Sequence, residues 1–230
     1  MNPKGKTVGV LMLETQFPRL RGDIGNPDGF EFPIIYKVVD GASPKKVVEE
    51  QNRQLVEKFI KGAKELIDEG ANIITTSCGF LGRYQNEIQA QLPVPVFTSA
   101  LLLMDGLEAE YGKGNVGILT ISKTAMTAAF LAGAGIDDKT PIGSTETGLE
   151  FTQAILANRA SFDEPQCKAD LVQAALNLVS AHPNIRAILL ECTNMPPHAA
   201  AIEAATGLPV SSLNDLLNEK AGSMRHLKLT

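Results

Sequence analysis

The sequence predicts an α/β protein made of two similar lobes with parallel sheets, and three observations carry that prediction. First, the stretch Ala71 to Val96 aligns without a gap on Ile185 to Val210, so that Cys78 falls on Cys192, Ile74 on Ile188, Ile88 on Ile202, Ala90 on Ala204, Pro95 on Pro209 and Val96 on Val210. Second, Val8-Gly9-Val10-Leu11 upstream is answered by Val116-Gly117-Ile118-Leu119. Third, apolar runs of strand length alternate with helical patterns, which implies parallel strands joined by right-handed crossovers. A repeat of this size is a duplicated lobe rather than a solenoid, with one cysteine per lobe at the same topological place.

Thr7 to Leu13 is a continuous apolar run and reads as a buried parallel strand. Glu14 to Ser43 is far longer than an ordinary βα connection, and is expected to cover the substrate or to contact another subunit. Ser43-Pro44 supplies a cap followed by proline, opening a helix whose stripe includes Val48, Leu55, Phe59 and Leu66 and which Gly70 ends. A strand over Ile73 to Ser77, a helix over Gly82 to Gln91, a strand over Val94 to Thr98 and a helix over Ser99 to Tyr111 follow. Lys113-Gly114-Asn115 turns into the second lobe.

There the pattern predicts a strand over Asn115 to Ile121, a helix over Lys123 to Ala134, a short strand over Pro141 to Ser144 and a helix over Thr147 to Asn158. Pro165 to His182 is helical, with Leu171, Ala175, Leu178 and Val179 on one face. Arg186 to Glu191 is a strand, and Pro196-Pro197 begins a helix that Gly207 terminates. Val210 to Ser212 is the last strand and Asn214 to Ala221 the last helix.

The 230 residues, 44% of them hydrophobic, suffice for a substantial core. A formal charge of −5 and a pI near 5.3 argue against a nucleic-acid or anionic-membrane partner, which needs a basic face. The start MNPKGKTVGVLML shows no cleavable leader and no apolar run spans a bilayer, so the cytoplasm is the expected compartment. The cysteines Cys78, Cys167 and Cys192 are odd in number and lack CxxC spacing, which disfavours a structural disulfide and a zinc site.

Cys78 and Cys192 both follow a strand, at the end of a parallel sheet where ligands bind and where the next helix offers free N–H groups. A thiol there is expected to be activated toward the thiolate. A pseudo-twofold axis between the lobes puts the two sulfurs on opposite sides of one cleft, the arrangement a stereoinverting proton transfer requires. Backbone N–H groups of Gly79, Phe80, Thr193 and Asn194 are placed to hold a carboxylate and an enolate-like charge, with no metal or organic cofactor needed. A lone cysteine after a buried strand is more often a small core residue; two in register point to chemistry. Cys167 has no symmetry mate and receives no role.

At these residues the sequence resembles the aspartate/glutamate racemase superfamily, which includes glutamate, aspartate and hydantoin racemases, maleate isomerase and arylmalonate decarboxylase. The marks are Thr76-Ser77-Cys78-Gly79 and Glu191-Cys192-Thr193-Asn194-Met195-Pro196. The resemblance implies two flavodoxin-like lobes facing across an active-site cleft. Their expected bounds are 1–98 plus 213–230 for the first and 99–212 for the second, the last helix returning to the first lobe. It also implies a cofactor-independent racemase or epimerase of a small amino acid, related carboxylate or cyclic amide, with Cys78 and Cys192 as the two bases. The alternatives are a lyase or cis–trans isomerase of the same superfamily, or a non-catalytic small-ligand binder.

Gly79-Phe80 stands where amino-acid racemases of the family commonly carry Asn-Thr, and Asn194 where glutamate racemases carry His. Candidate substrate-binding residues are Glu14, Thr15, Ser77, Gly79, Phe80, Thr120, Ser122, Thr124, Thr193 and Asn194. Arg19 and Arg21 are candidates to clamp a carboxylate from the long loop, a solvated surface position being the commoner reading for each, and Asp23 reads as turn chemistry. The expected partner is a small-molecule carboxylate or cyclic amide, and the long 14–43 segment leaves room for a homo-oligomer contact.

Overall fold

The computed structural model describes residues 5–222; residues 1–4 and 223–230 of the expected first lobe lie outside the described residues. Two four-stranded parallel sheets form its frame. The first runs in the order β2, β1, β3, β4, with β1 at Val8–Met12, β2 at Ile34–Val38, β3 at Ile73–Thr76 and β4 at Val96–Phe97. The second repeats that order as β6, β5, β7, β8, with β5 at Val116–Thr120, β6 at Ile142–Ser144, β7 at Ala187–Leu190 and β8 at Val210–Ser211.

The aligned residues occupy equivalent rungs. Ile74 pairs with Val96 as Ile188 pairs with Val210, and Gly9 pairs with Ile74 as Gly117 pairs with Ile188. Both glycines exist for close approach. A Cβ at Gly9 would lie 2.9 Å from Ile74 Cδ1 and 3.1 Å from Leu66 Cβ; at Gly117 it would lie 2.6 Å from Ile185 Cδ1 and 3.1 Å from Leu178 Cδ2. Leu66 belongs to α2 (Leu55–Asp68) and Leu178 to α7 (Glu164–Ala181), so each lobe presses one long helix onto its first strand. β1, β3, β5 and β7 are buried along their whole length, as strands with a neighbour on each side and covered faces must be.

Several elements differ from the sequence expectation, each for a local reason. The excursion after β1 holds a strand that the pattern did not mark: Ile34–Val38 is the edge strand of the first sheet, reached through a one-turn 3-10 helix at Pro27–Gly29. The helix opened by Ser43 stops as α1 (Pro44–Val48), because Gln51 takes a left-handed φ of 46° and Asn52 accepts the Gln54 N–H ahead of α2. Gly79–Tyr84 is a 3-10 helix that leads into α3 (Gln85–Gln89), and Ala100–Leu103 leads likewise into α4 (Met104–Tyr111). α5 (Ala128–Gly133) begins only at the Thr127 cap, because the Glu146 carboxylate holds the N–H groups of Lys123 and Thr124 and the Ser122 hydroxyl in a turn. α6 spans Phe151–Leu156 and begins late for a similar reason: Asp170 accepts the N–H groups of Leu149, Glu150 and Phe151.

α8 (Ala199–Thr206) ends at Gly207, left-handed at φ 69° as expected. α9 (Leu213–Ala221) starts on a capping box between Ser212 and Asp215 and packs on the 100–103 turn. Its end meets the first lobe, where the Lys6 N–H donates to the Ala221 carbonyl at 3.1 Å. Between the lobes α1 packs on α6, and α5 on the 79–84 turn. No helix among the described residues is long and apolar enough to cross a membrane.

Candidate active site

Within each sheet the chain runs from its first strand to one side and then crosses to the other, so connections diverge between β1 and β3 and between β5 and β7. Such a switch point leaves a crevice at the carboxyl ends of the strands. Both crevices open onto one cavity. The first lobe lines it with Leu13, Thr15, Phe17 and Arg19 after β1, Pro44 and Val48, and Ser77, Cys78, Gly79 and Phe80 after β3; the second supplies Ile121, Ile155, Glu191, Cys192 and Asn194. The space open to the centre of a water molecule is about 20 Å³, room for a water or two. As it stands the cavity is too narrow for a substrate of several heavy atoms, so binding requires its walls to move apart.

Cys78 and Cys192, 8% and 7% exposed, share this cavity. The Phe80 N–H serves Cys78 and the Asn194 N–H serves Cys192, the same two-residue step in each lobe. The thiols are nevertheless not activated at rest. Burial pushes Cys78 up to about 12, the Glu191 carboxylate pushes it further, and the Phe80 N–H and Arg19 pull it back only in part. Burial likewise holds Cys192 well above the ordinary thiol range, with Glu191 adding to it. The expected helix-terminus activation loses here because the turns are short and desolvation outweighs single N–H contacts.

Asn194 ties the second cysteine to the long segment of the first lobe. Its Oδ1 accepts from Cys192 Sγ at 3.6 Å, and its Nδ2 donates to Asp23 Oδ2 at 2.6 Å. Asp23 also accepts from Arg19 Nη1 at 3.1 Å, and Arg19 Nη2 donates to Thr15 Oγ1 at 2.6 Å while the guanidinium lies 4.4 Å over the Phe17 ring. A second seam joins the cysteine loops directly, with Thr193 Oγ1 donating to the Ser77 carbonyl at 2.7 Å.

Of the residues singled out in the sequence, Thr15, Ser77, Cys78, Gly79, Phe80, Cys192 and Asn194 line the cavity. The others turn elsewhere. Glu14 is exposed and accepts the Gly41 N–H, Ser122 and Thr124 bind Glu146, Thr193 spans the lobes, and Thr120 donates to Glu191 Oε2 at 2.8 Å. Asp23 makes the expected turn, its Oδ1 accepting the Gly25 N–H at 2.7 Å, and tertiary packing also draws it, together with Arg19, into the Asn194 network. Cys167 is buried outside this cavity, on a smaller neighbouring one beside His198. Among the described residues no three His, Cys, Asp or Glu side chains converge to hold a metal.

Glu191, inside the motif around Cys192, is a site residue to which the sequence pattern gives no role. It is 0% exposed, its Oε1 has no hydrogen-bond partner, and burial pushes its carboxyl up to about 7. A charge directly before the cysteine, closing the apolar run Ala187–Leu190, was the available signal.

Comparison with known proteins places this geometry. Residues 87–221 match the family model described as Asp/Glu/Hydantoin racemase. A dimethylsulfoniopropionate lyase from Durusdinium sp. clade D is 31% identical over 91% of this chain and 72% of its own length. Dimethylsulfoniopropionate lyase 7 of Emiliania huxleyi is 28% identical over 89% of this chain, which spans only 63% of that protein. Among solved structures, a cysteine-substituted variant of arylmalonate decarboxylase superposes with a TM-score of 0.60 at 21% identity, over 89% of this chain and 86% of that one. Glutamate racemase from Francisella tularensis, in complex with D-glutamate, gives 0.52 at 18% identity over 96% and 84%. With the family model covering more than half its length and a relative above 30% identity, the chain belongs to the Asp/Glu/hydantoin racemase family.

Proposed function

We propose that the protein is a lyase that removes the proton next to a carboxylate and expels a neutral sulfide from the β carbon, with dimethylsulfoniopropionate as the substrate. A cysteine thiolate is the base. The proton leaves the α carbon to sulfur, its electron pair forms the double bond, and the C–S pair departs with dimethyl sulfide, leaving acrylate. No redox partner is required. Arg19 is the donor in the lining for the carboxylate and the charge that builds on it, while the N–H groups of Phe80 and Asn194 support the sulfurs as thiolates.

One feature of the cavity favours a sulfonium over an amino acid. An α-ammonium brings three N–H donors that need acceptors, and Glu191 Oε1 is the single unpartnered buried side-chain acceptor among the described residues. A dimethylsulfonium brings only methyl groups, which Leu13, Phe17, Val48, Phe80, Ile121 and Ile155 can surround. Support also comes from the names of the relatives, which are dimethylsulfoniopropionate lyases.

The test is headspace detection of dimethyl sulfide together with acrylate after incubation with dimethylsulfoniopropionate. Absence of both products at any pH between 6 and 9, roughly the working range of a buried acid and base pair, sinks the proposal. The second reading, a two-base racemase of a small carboxylate, draws on both cysteines sharing one cavity. Incubation of single enantiomers in D2O separates the two, because racemisation labels the stereocentre without net bond cleavage.

A further inference from the structure

A buried thiol needs somewhere to put its proton before it can act as a base. Among the described residues no histidine lines the cavity: His182 is exposed, and His198 borders the neighbouring cavity. Glu191 is, among the described residues, the only carboxylate in the lining. It immediately precedes Cys192, and its side chain reaches the first lobe, where a Cβ on Gly79, the residue after Cys78, would lie 2.3 Å from Glu191 Oε1. One carboxyl group therefore adjoins both cysteine loops.

Its two oxygens are not equivalent. The Thr120 hydroxyl accepts the Ser122 N–H at 3.4 Å, which directs its own proton to Glu191 Oε2 at 2.8 Å. Oε2 is thus occupied as an acceptor, and Oε1 is the buried, unpartnered atom left to hold a proton.

We propose that Glu191 is the internal proton acceptor of the cysteine pair: neither sulfur hydrogen-bonds Oε1 at rest, so the proton of the attacking thiol passes through one water in the cavity to Oε1, which keeps it until product leaves. This rests on the lyase reading for its proton balance. Thiol and carboxylate become thiolate and carboxylic acid; the thiolate then takes the α proton and returns to thiol as acrylate and dimethyl sulfide form. The elimination releases one net proton, and Glu191 is left holding it. Charge removal works in the same direction, because the carboxylate that keeps both thiols protonated is neutralised by the transfer. The other charged or titratable groups facing the site are the two cysteines themselves, Arg19, and Asp23 through Asn194.

Glu191→Gln keeps the shape and can keep the Thr120 hydrogen bond, and Glu191→Asp keeps the acid. In substrate-free protein, ultraviolet thiolate absorbance followed against pH should show the thiol midpoints falling by about one unit or more in Glu191→Gln, since a nearby negative charge is gone. With dimethylsulfoniopropionate, the same variant should lose about a hundredfold or more in kcat, in the range of general-base catalysis. It should also lose the rise of activity through pH of about 7 that a Glu191 carboxylate imposes. Glu191→Asp should retain that rise. A more acidic thiol paired with slower turnover is the signature, and a purely structural residue does not give it. Unmoved thiol midpoints overturn the proposal, as does Glu191→Gln turning over within about threefold of the parent with its pH profile intact. If the parent itself forms no dimethyl sulfide the lyase reading falls, and the thiol midpoints alone still decide whether Glu191 and the cysteines are coupled.

Discussion

The hydroxyl of Thr193 donates to the carbonyl of Ser77 at 2.7 Å, joining the residue after one cavity cysteine to the residue before the other. That bond crosses the lobe boundary inside a buried seam, so it fixes how far apart the two sulfur-bearing loops sit when the cleft is closed. Thr193→Val keeps the shape and leaves the carbonyl without its donor. The expected result is a stability loss of about 1 to 3 kcal/mol, the cost of an unpaired buried group, and a drop in kcat of about tenfold or more with a smaller change in KM. Urea denaturation and steady-state kinetics check both.

Cys78→Ser and Cys192→Ser separate one-base from two-base chemistry. In a lyase only the serine at the base position should abolish turnover, by about a thousandfold or more, while the other variant retains measurable elimination. In a racemase both should abolish it. Equal, near-parental activity in both variants removes either cysteine from the chemistry.

Gly79 is held to its size by Glu191. Because a Cβ there would meet Glu191 Oε1 and the Glu191 carbonyl oxygen, both at 2.3 Å, Gly79→Ala must push the lobes apart or displace the acid. Overpacking of this kind costs about 1 to 3 kcal/mol. Thermal unfolding should show that loss, and turnover should fall with it.

Glu191 also makes stability depend on pH. Its folded-state pKa, about 7, lies above the ordinary carboxylate value, so the native state binds the proton more tightly than the unfolded chain. The stabilisation is complete below the unfolded pKa and is lost as pH rises through about 7, falling by on the order of 3 kcal/mol in total. Glu191→Gln should therefore be more stable than the parent at pH 8 and nearly equal to it near pH 4.5, an ordinary carboxylate value. Denaturant titrations at the two pH values test this, and equal differences at both exclude it.

Two residues with left-handed backbones, one in each lobe, hydrogen-bond across to the other lobe. Gln51, at φ 46°, donates from Nε2 to the Ala125 carbonyl at 2.6 Å and also holds Arg83. Asn158, at φ 52°, accepts the Gln16 N–H at 2.7 Å and donates to the Glu14 carbonyl at 3.3 Å. Removing both side chains should favour the open state by about 1 kcal/mol or more, at about 0.5 to 1.5 kcal/mol for each net hydrogen bond. Small-angle scattering should register a larger radius, and alkylation of the two cavity cysteines should speed up severalfold. Unchanged alkylation would show that these bonds do not govern access.

The sequence by itself determined the two-lobe architecture. The ungapped alignment of the two cysteine units, and the paired Val-Gly starts, become the same rungs of two sheets of identical order, because a register shift would put a side chain where only Gly9 or Gly117 fits. The place of Cys78 and Cys192 was legible for the same reason, strand ends being where such sheets bind ligands. Three other features were decided only in three dimensions. Ile34–Val38 reads as part of a loop until β1 offers it an edge; Arg19 reads as surface and Asp23 as turn chemistry alone until Asn194, more than 170 residues on, gives Asp23 a partner. The ionisation of the cysteines followed the same rule. A thiol's pKa is set by what surrounds it, and only the closure of two lobes puts both sulfurs out of water and beside the buried carboxylate of Glu191.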